Sequence, residues 1–120
     1  MILLVEDDDA TRYSFARLMR TAGHEVMQAK DGDEGLALLA KHDFDLVITD
    51  LAMPKVTGFG LLTEMRLKWP EIPVILVTAY LSPEAAKEIL RGKSKFLSKP
   101  VDNNELLAAV EHLTSIGTLS

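Results

Sequence analysis

Asp50 closes the apolar run Leu46-Val47-Ile48-Thr49, and the acids Glu6-Asp7-Asp8-Asp9 close another, Ile2-Leu3-Leu4-Val5. Acidic side chains at such junctions stand where a buried strand meets solvent. If the two runs are neighbours in one parallel sheet, three or more carboxylates converge on one edge. Two unit charges about 4 Å apart repel by roughly 4 kcal/mol at an effective dielectric near 20. A cluster of that kind calls for a hard cation. Two further runs end in polar residues: Val74-Ile75-Leu76-Val77 in Thr78-Ala79, and Phe96-Leu97-Ser98 in Lys99-Pro100. Acids, a hydroxyl and a lysine on one rim make a site for a divalent cation and an anion together. Magnesium suits it, since it takes oxygen ligands and keeps waters beside a few carboxylates and phosphate oxygens. Lys99 fits as a point charge on a phosphate, and Thr78 can donate a hydrogen bond to the same group.

The elements that must hold these residues follow from the hydrophobic pattern. Five short apolar runs, at 2–6, 25–29, 45–49, 74–78 and 95–98, predict strands. The first, third and fourth are apolar on both faces, as central parallel strands are. Helical patterns lie between them. The first carries Phe15, Leu18, Met19 and Ala22, with Asp9 as expected N-cap and Gly23 as C′ stop. The second, opened by Asp31, carries Leu36, Leu39 and Ala40. The third carries Leu62, Met65 and Trp69 and ends at Pro70. The fourth opens with Ser82-Pro83-Glu84 and stops at Gly92, an N-cap followed by proline at N1. The fifth opens at Asp102 with Glu105 at capping-box spacing, and its apolar face is Leu106, Ala109, Val110 and Leu113. Strand and helix alternate five times. That predicts a three-layer α/β/α domain with a parallel five-stranded sheet and right-handed crossovers. Its ligands belong beyond the carboxyl ends of the strands.

Bulk properties narrow the function. The 120 residues suit one domain, expected over 1–120 with a core about 2–114 and a tail or linker start at 115–120. Net charge is −5, which argues against a nucleic-acid surface on this segment. With no cysteine there is no disulfide, thiolate metal site or cysteine nucleophile. Nothing resembles a signal peptide, and no apolar run nears the roughly 18 residues that span a bilayer. A cytoplasmic location is expected. His24, His42 and His112 follow no metal-ligand spacing and are expected on surfaces.

Taken together, Val5-Glu6-Asp7-Asp8, Asp50-Leu51-Ala52-Met53-Pro54, Gly58, Thr78-Ala79 and Lys99-Pro100 resemble the response-regulator receiver domain of two-component signalling. The resemblance covers residue 2 to about 114, and four pieces at the correct strand ends make it specific. It implies the flavodoxin-like strand order 2-1-3-4-5. It implies that Asp50 accepts a phosphoryl group from a histidine kinase or phosphotransfer protein. Mg²⁺, or Mn²⁺ in its place, would be held by Asp7, Asp50 and the Ala52 carbonyl, with Glu6 acting through a coordinated water. Thr78 and Lys99 would contact the phosphoryl oxygens. Phe96 falls on the aromatic switch position that follows Thr78 when the threonine is drawn to the phosphoryl group. The state would pass through the face of the fourth helix, fifth strand and fifth helix to an output domain, a downstream protein or a homodimer formed on phosphorylation. The stretch Asp50 to Tyr80 resembles receivers of ATPase-type transcription activators or hybrid kinases. Glu6 stands where aspartate is commoner, and Lys93 follows Gly92 where alanine is usual. With Lys95 it adds charge near the relay face. Ala52 and Tyr80 occupy the positions that govern access of hydrolytic water, so slow dephosphorylation is expected.

Other readings attach to the same residues. Acids at strand ends cap helices, and that is the expected role of Asp8 or Asp9. Thr78 can be an ordinary strand residue, Phe96 plain core, and Lys99 a solvated lysine. A Mg²⁺-dependent phosphatase with an aspartyl-phosphate intermediate wants a second acid two residues after the nucleophile, where this chain has Ala52. A flavin binder wants a Ser/Thr/Gly-rich loop after the first strand, where this chain has acids that repel a phosphate. A phosphorylation-independent interaction module has no need of the complete acidic, hydroxyl and lysine set.

Overall fold

A computed structural model of the chain describes residues 1–50, 58–79 and 94–115. The five apolar runs form β1 (Ile2–Val5), β2 (Val26–Ala29), β3 (Leu46–Asp50), β4 (Val74–Thr78) and β5 (Ser94–Ser98). The helices are α1 (Asp9–Thr21), α2 (Gly32–Lys41), α3 (Gly58–Lys68) and α4 (Asn103–Ser115), the last being the fifth helix of the sequence pattern. The helix expected from Ser82 to Gly92 lies outside the described residues, as do Ala52 and Tyr80. All strand pairings are parallel and the order is β2-β1-β3-β4-β5, as expected.

Alternation along the strands sorts side chains to two faces. Ile2, Leu4, Ile48 and Val77 face α1 and α4, where they pack with Phe15, Met19, Leu106 and Val110. Leu3, Val5, Val47 and Val74 face α2 and α3, where they meet Leu39, Leu61 and Met65. β1, β3 and β4 are buried along their whole length, while β5 at the sheet edge is half-exposed. Among the described residues, helices thus pack on both faces of the sheet.

The caps place α1 differently from the expectation at one point. Asp8, not Asp9, is the N-cap: its carboxylate accepts the Thr11 N–H at 2.8 Å and the Thr11 hydroxyl at 2.6 Å. Asp9 is the first helical residue and pairs instead with Arg12. The reason is the length of β1, which stops at Val5 and leaves three residues for the turn. At the other end, Gly23 has φ +100° and its N–H donates to the Arg20 carbonyl, while the His24 N–H donates to that of Met19. That is the paired closure of a Schellman motif, which needs the left-handed residue glycine supplies. Asp31 caps α2 by accepting the Glu34 N–H at 2.9 Å. Asp102 accepts the Asn104 N–H at 2.7 Å before α4. His42 and His112 are exposed as expected. His24 is not: it is half-buried, with its Nε2 sealed from solvent 3.7 Å from a Glu111 carboxylate oxygen. The Schellman turn folds it back against α4.

Candidate functional site

The strand register brings the polar ends to one rim. Val5 pairs with Thr49, so Glu6 and Asp50 come next on adjacent strands. Asp50 pairs with Val77, and Thr78 with Ser98, so Thr78 and Lys99 follow one residue further on. Beyond β5, the Lys99 N–H continues the ladder to the Thr78 carbonyl at 3.0 Å, and the Lys99–Pro100 bond is cis. A groove of about 650 Å³, lined in part by Thr11, Phe15, Lys99 and Pro100, opens beside the lysine.

Three carboxylates meet at this rim. Glu6, Asp7 and Asp50 each offer an oxygen, and these atoms all lie within 4.8 Å of one another. Glu6 and Asp50 are buried, 2% and 6% exposed, while Asp7 faces solvent. Two walls and one open side suit an ion that keeps part of its water. The donor set is all oxygen and all anionic, which fits Mg²⁺ or Mn²⁺.

Lys99 ties two of the acids together. Its Nζ lies 2.9 Å from Glu6 Oε1 and 2.7 Å from Asp50 Oδ2. Burial pushes the Glu6 carboxyl up and the neighbouring Asp7 carboxyl adds to this, against the pull of Lys99. Burial alone pulls Lys99 down, but its hydrogen bonds to Asp50 and Glu6 outweigh it and hold the ammonium above the ordinary lysine range. The lysine therefore stays charged. Asp8 lies outside this set: the Thr11 hydroxyl and N–H hold its carboxyl below the usual range, as a cap should.

Thr78 is fully buried at the end of β4. It shares a sheet face with Phe96, because Phe96 pairs with Leu76 and Leu76 and Thr78 are two residues apart on one strand. Phe96 is half-buried and Leu97 is the β5 residue packed on the α1–α4 side. Asp50, Thr78, Lys99, Glu6 and Asp7 are thus gathered at one rim, with Phe96 two strand positions behind Thr78.

Arg12 escaped the sequence reasoning. It is 8% exposed. Its Nη1 donates to the Glu6 carbonyl at 2.9 Å and its Nη2 to Asp9 Oδ1 at 2.5 Å. The signal was present: Arg12 stands on the inner stripe of α1 with Phe15, Ala16 and Met19, where a charge needs a partner.

Comparison with known proteins agrees with this geometry. The family model for the response regulator receiver domain matches residues 2–111. The response regulator protein FleR of Pseudomonas aeruginosa is 38% identical over 110 residues, spanning 91% of this chain and 23% of that protein. The DNA-binding transcriptional regulator NtrC of Salmonella typhimurium is 33% identical over 116 residues, 96% of this chain and 25% of that protein. The chain thus spans about a quarter of the length of these curated relatives. Among solved structures, the receiver domain from the hybrid histidine kinase CckA superposes with a TM-score of 0.77 at 35% identity, covering 94% of this chain and 97% of that one. The chain belongs to the response regulator receiver domain family, whose members serve as phosphorylation switches in two-component signalling.

Proposed function

We propose that this domain is switched by transfer of a phosphoryl group to Asp50 from a sensor histidine kinase or phosphotransfer protein. The observation that carries this is Asp50 itself: a buried carboxylate at a strand end, 2.7 Å from the Lys99 ammonium and grouped with Glu6 and Asp7. An Asp50 carboxylate oxygen attacks phosphorus, and the bond from phosphorus to the donor's nitrogen or oxygen breaks. The donor leaves with that electron pair, and Asp50 becomes an acyl phosphate. Asp7 and Asp50, with the Ala52 carbonyl, would hold Mg²⁺ directly, and Glu6 through a water. The bound ion supplies charge neutralisation for the phosphoryl oxygens. Lys99 turns from the carboxylates to a phosphoryl oxygen, and Thr78 donates its hydroxyl to another. Positioning and electrostatics are what this reaction asks of the protein.

The product is a change of shape, with no released molecule other than the spent donor. Thr78 moves toward the phosphoryl group and Phe96, on the same face, follows into the space vacated. The relay runs through the face of the fourth helix, fifth strand and fifth helix to an output domain, a partner or a second copy. The name of NtrC, a DNA-binding transcriptional regulator, favours transcriptional control as the output. This segment itself is read as making no contact with nucleic acid or membrane, and as working in the cytoplasm. No helix among the described residues is long and apolar enough to cross a membrane.

The test is incubation with a small acyl phosphate or phosphoramidate and Mg²⁺, followed by intact mass. A gain of one phosphoryl mass in the wild type and none in Asp50→Asn supports the proposal. No gain in either reduces the chain to an interaction module, and turnover of a separately supplied small phosphate ester by the isolated chain revives the phosphatase. Tyr80, two residues after Thr78, is read as shielding the acyl phosphate. Tyr80→Ala should shorten its lifetime several-fold by phosphate release, and equal lifetimes would remove the shielding role.

A further inference from the structure

We propose that Arg12 is a positioning residue for the cation site: by holding the Glu6 carbonyl, it sets the turn from which Glu6 and Asp7 present their carboxylates. The inference rests on the reading that Glu6, Asp7 and Asp50 hold Mg²⁺.

Arg12 occupies a place where packing alone asks for an apolar side chain, between α1 and the sheet. Burying a guanidinium there is costly unless its donors are used. They are used in a specific way. Nη1 reaches back to the carbonyl of Glu6, just past the end of β1, and Nη2 reaches Asp9, the first residue of α1. One rigid planar group therefore spans the turn formed by Glu6, Asp7 and Asp8. Arginine presents its donors in a fixed fork, whereas lysine offers a single ammonium on a flexible stem. The turn is also braced from within, where the Asp8 N–H donates to Glu6 Oε2 at 3.2 Å. A cation site tolerates misplacement of its ligands by only about half an ångström. The backbone that carries two of its three carboxylates is the part Arg12 holds.

A counter-charge role makes the opposite prediction. A guanidinium held at the Glu6 carbonyl repels a divalent cation bound by the same turn, so removing its charge alone would tighten Mg²⁺ binding. Removing a brace would weaken it. The two roles differ in sign, which makes the test decisive.

Mg²⁺ binding is measured by titration calorimetry on the 120-residue chain, with thermal unfolding in chelator alongside. The variants are Arg12→Met, Arg12→Lys and, as a control, Gly23→Ala, which strains the far end of the same helix. Arg12→Met is expected to weaken Mg²⁺ binding at least about tenfold, in the range of residues that orient metal ligands from behind. Arg12→Lys should fall between it and the wild type. Gly23→Ala should lower Tm and leave the Kd unchanged. Mg²⁺ binding by Arg12→Met equal to or tighter than wild type overturns the proposal. Should Arg12→Met fail to fold, Arg12→Lys decides: wild-type affinity in that variant overturns it and a several-fold loss supports it. Absence of Mg²⁺ binding by the wild type instead removes the cation-site reading, and the positioning role with it.

Discussion

At the residue scale, Lys99 serves two carboxylates with one ammonium, and both belong to the candidate cation site. On the proposed reading, Lys99 and Mg²⁺ would compete for Glu6 and Asp50. Lys99→Met leaves the two buried acids without that partner, at a cost of about 1–3 kcal/mol in the metal-free chain. The same change removes a repelling charge and should tighten Mg²⁺ binding by roughly fivefold, equivalent to about 1 kcal/mol. Phosphoryl transfer should slow, since the group that meets the phosphoryl oxygen is gone. Thermal unfolding in chelator, calorimetric titration and intact mass after donor treatment read the three effects. A variant that binds Mg²⁺ more weakly would show that Lys99 orients the acids and does not compete for them. Asp50, Thr78 and Lys99 were legible because each follows an apolar run directly. The helical spacing of Arg12 with Phe15 and Met19 marked a buried charge in need of a partner, but only the fold showed that the partner is the Glu6 carbonyl.

At the element scale, the turns decide where the chemistry points. Asp8 and Asp9 are adjacent acids, and either could cap α1 on local grounds. The cap is Asp8 because sheet pairing ends β1 at Val5. Gly23 closes the other end with φ +100°. An L side chain in that region costs roughly 1–2 kcal/mol, partly offset by the stiffer unfolded chain. Gly23→Ala should therefore lose about 1 kcal/mol in urea unfolding with m unchanged, although nothing lies within 4 Å of the added Cβ. An unchanged midpoint would mean that the turn can refold without a left-handed residue. α2 approaches the sheet closely through Gly35, whose Cβ would meet Val5 Cγ2 at 3.1 Å. That contact joins two distant segments, so a helical pattern alone did not reveal it.

At the scale of the whole molecule, the site exists only because four strand ends are level. Ligand linkage tests that directly. A ligand held by the folded chain alone stabilises it by about 2.7 kcal/mol at a hundredfold excess over Kd. Each kcal/mol raises Tm by roughly 2–8 °C for domains near this size. Mg²⁺ should raise the Tm of the wild type by several degrees and leave Asp7→Asn nearly unmoved. An equal rise in both would place the ion elsewhere. The alternation of apolar runs with amphipathic helices was enough to determine the α/β class and the end of the sheet where the site lies. It works because strands buried on both faces and helices buried on one write distinct periods into the chain. The family motifs implied the strand order, which the sheet has, and supplied the roles proposed for the site residues. What only the tertiary structure decided was which groups meet: Lys99 with both Glu6 and Asp50, Arg12 with the Glu6 carbonyl, and His24 folded against α4. Those contacts depend on sheet register and helix docking, which bring together residues up to 93 positions apart. No local period records such a distance.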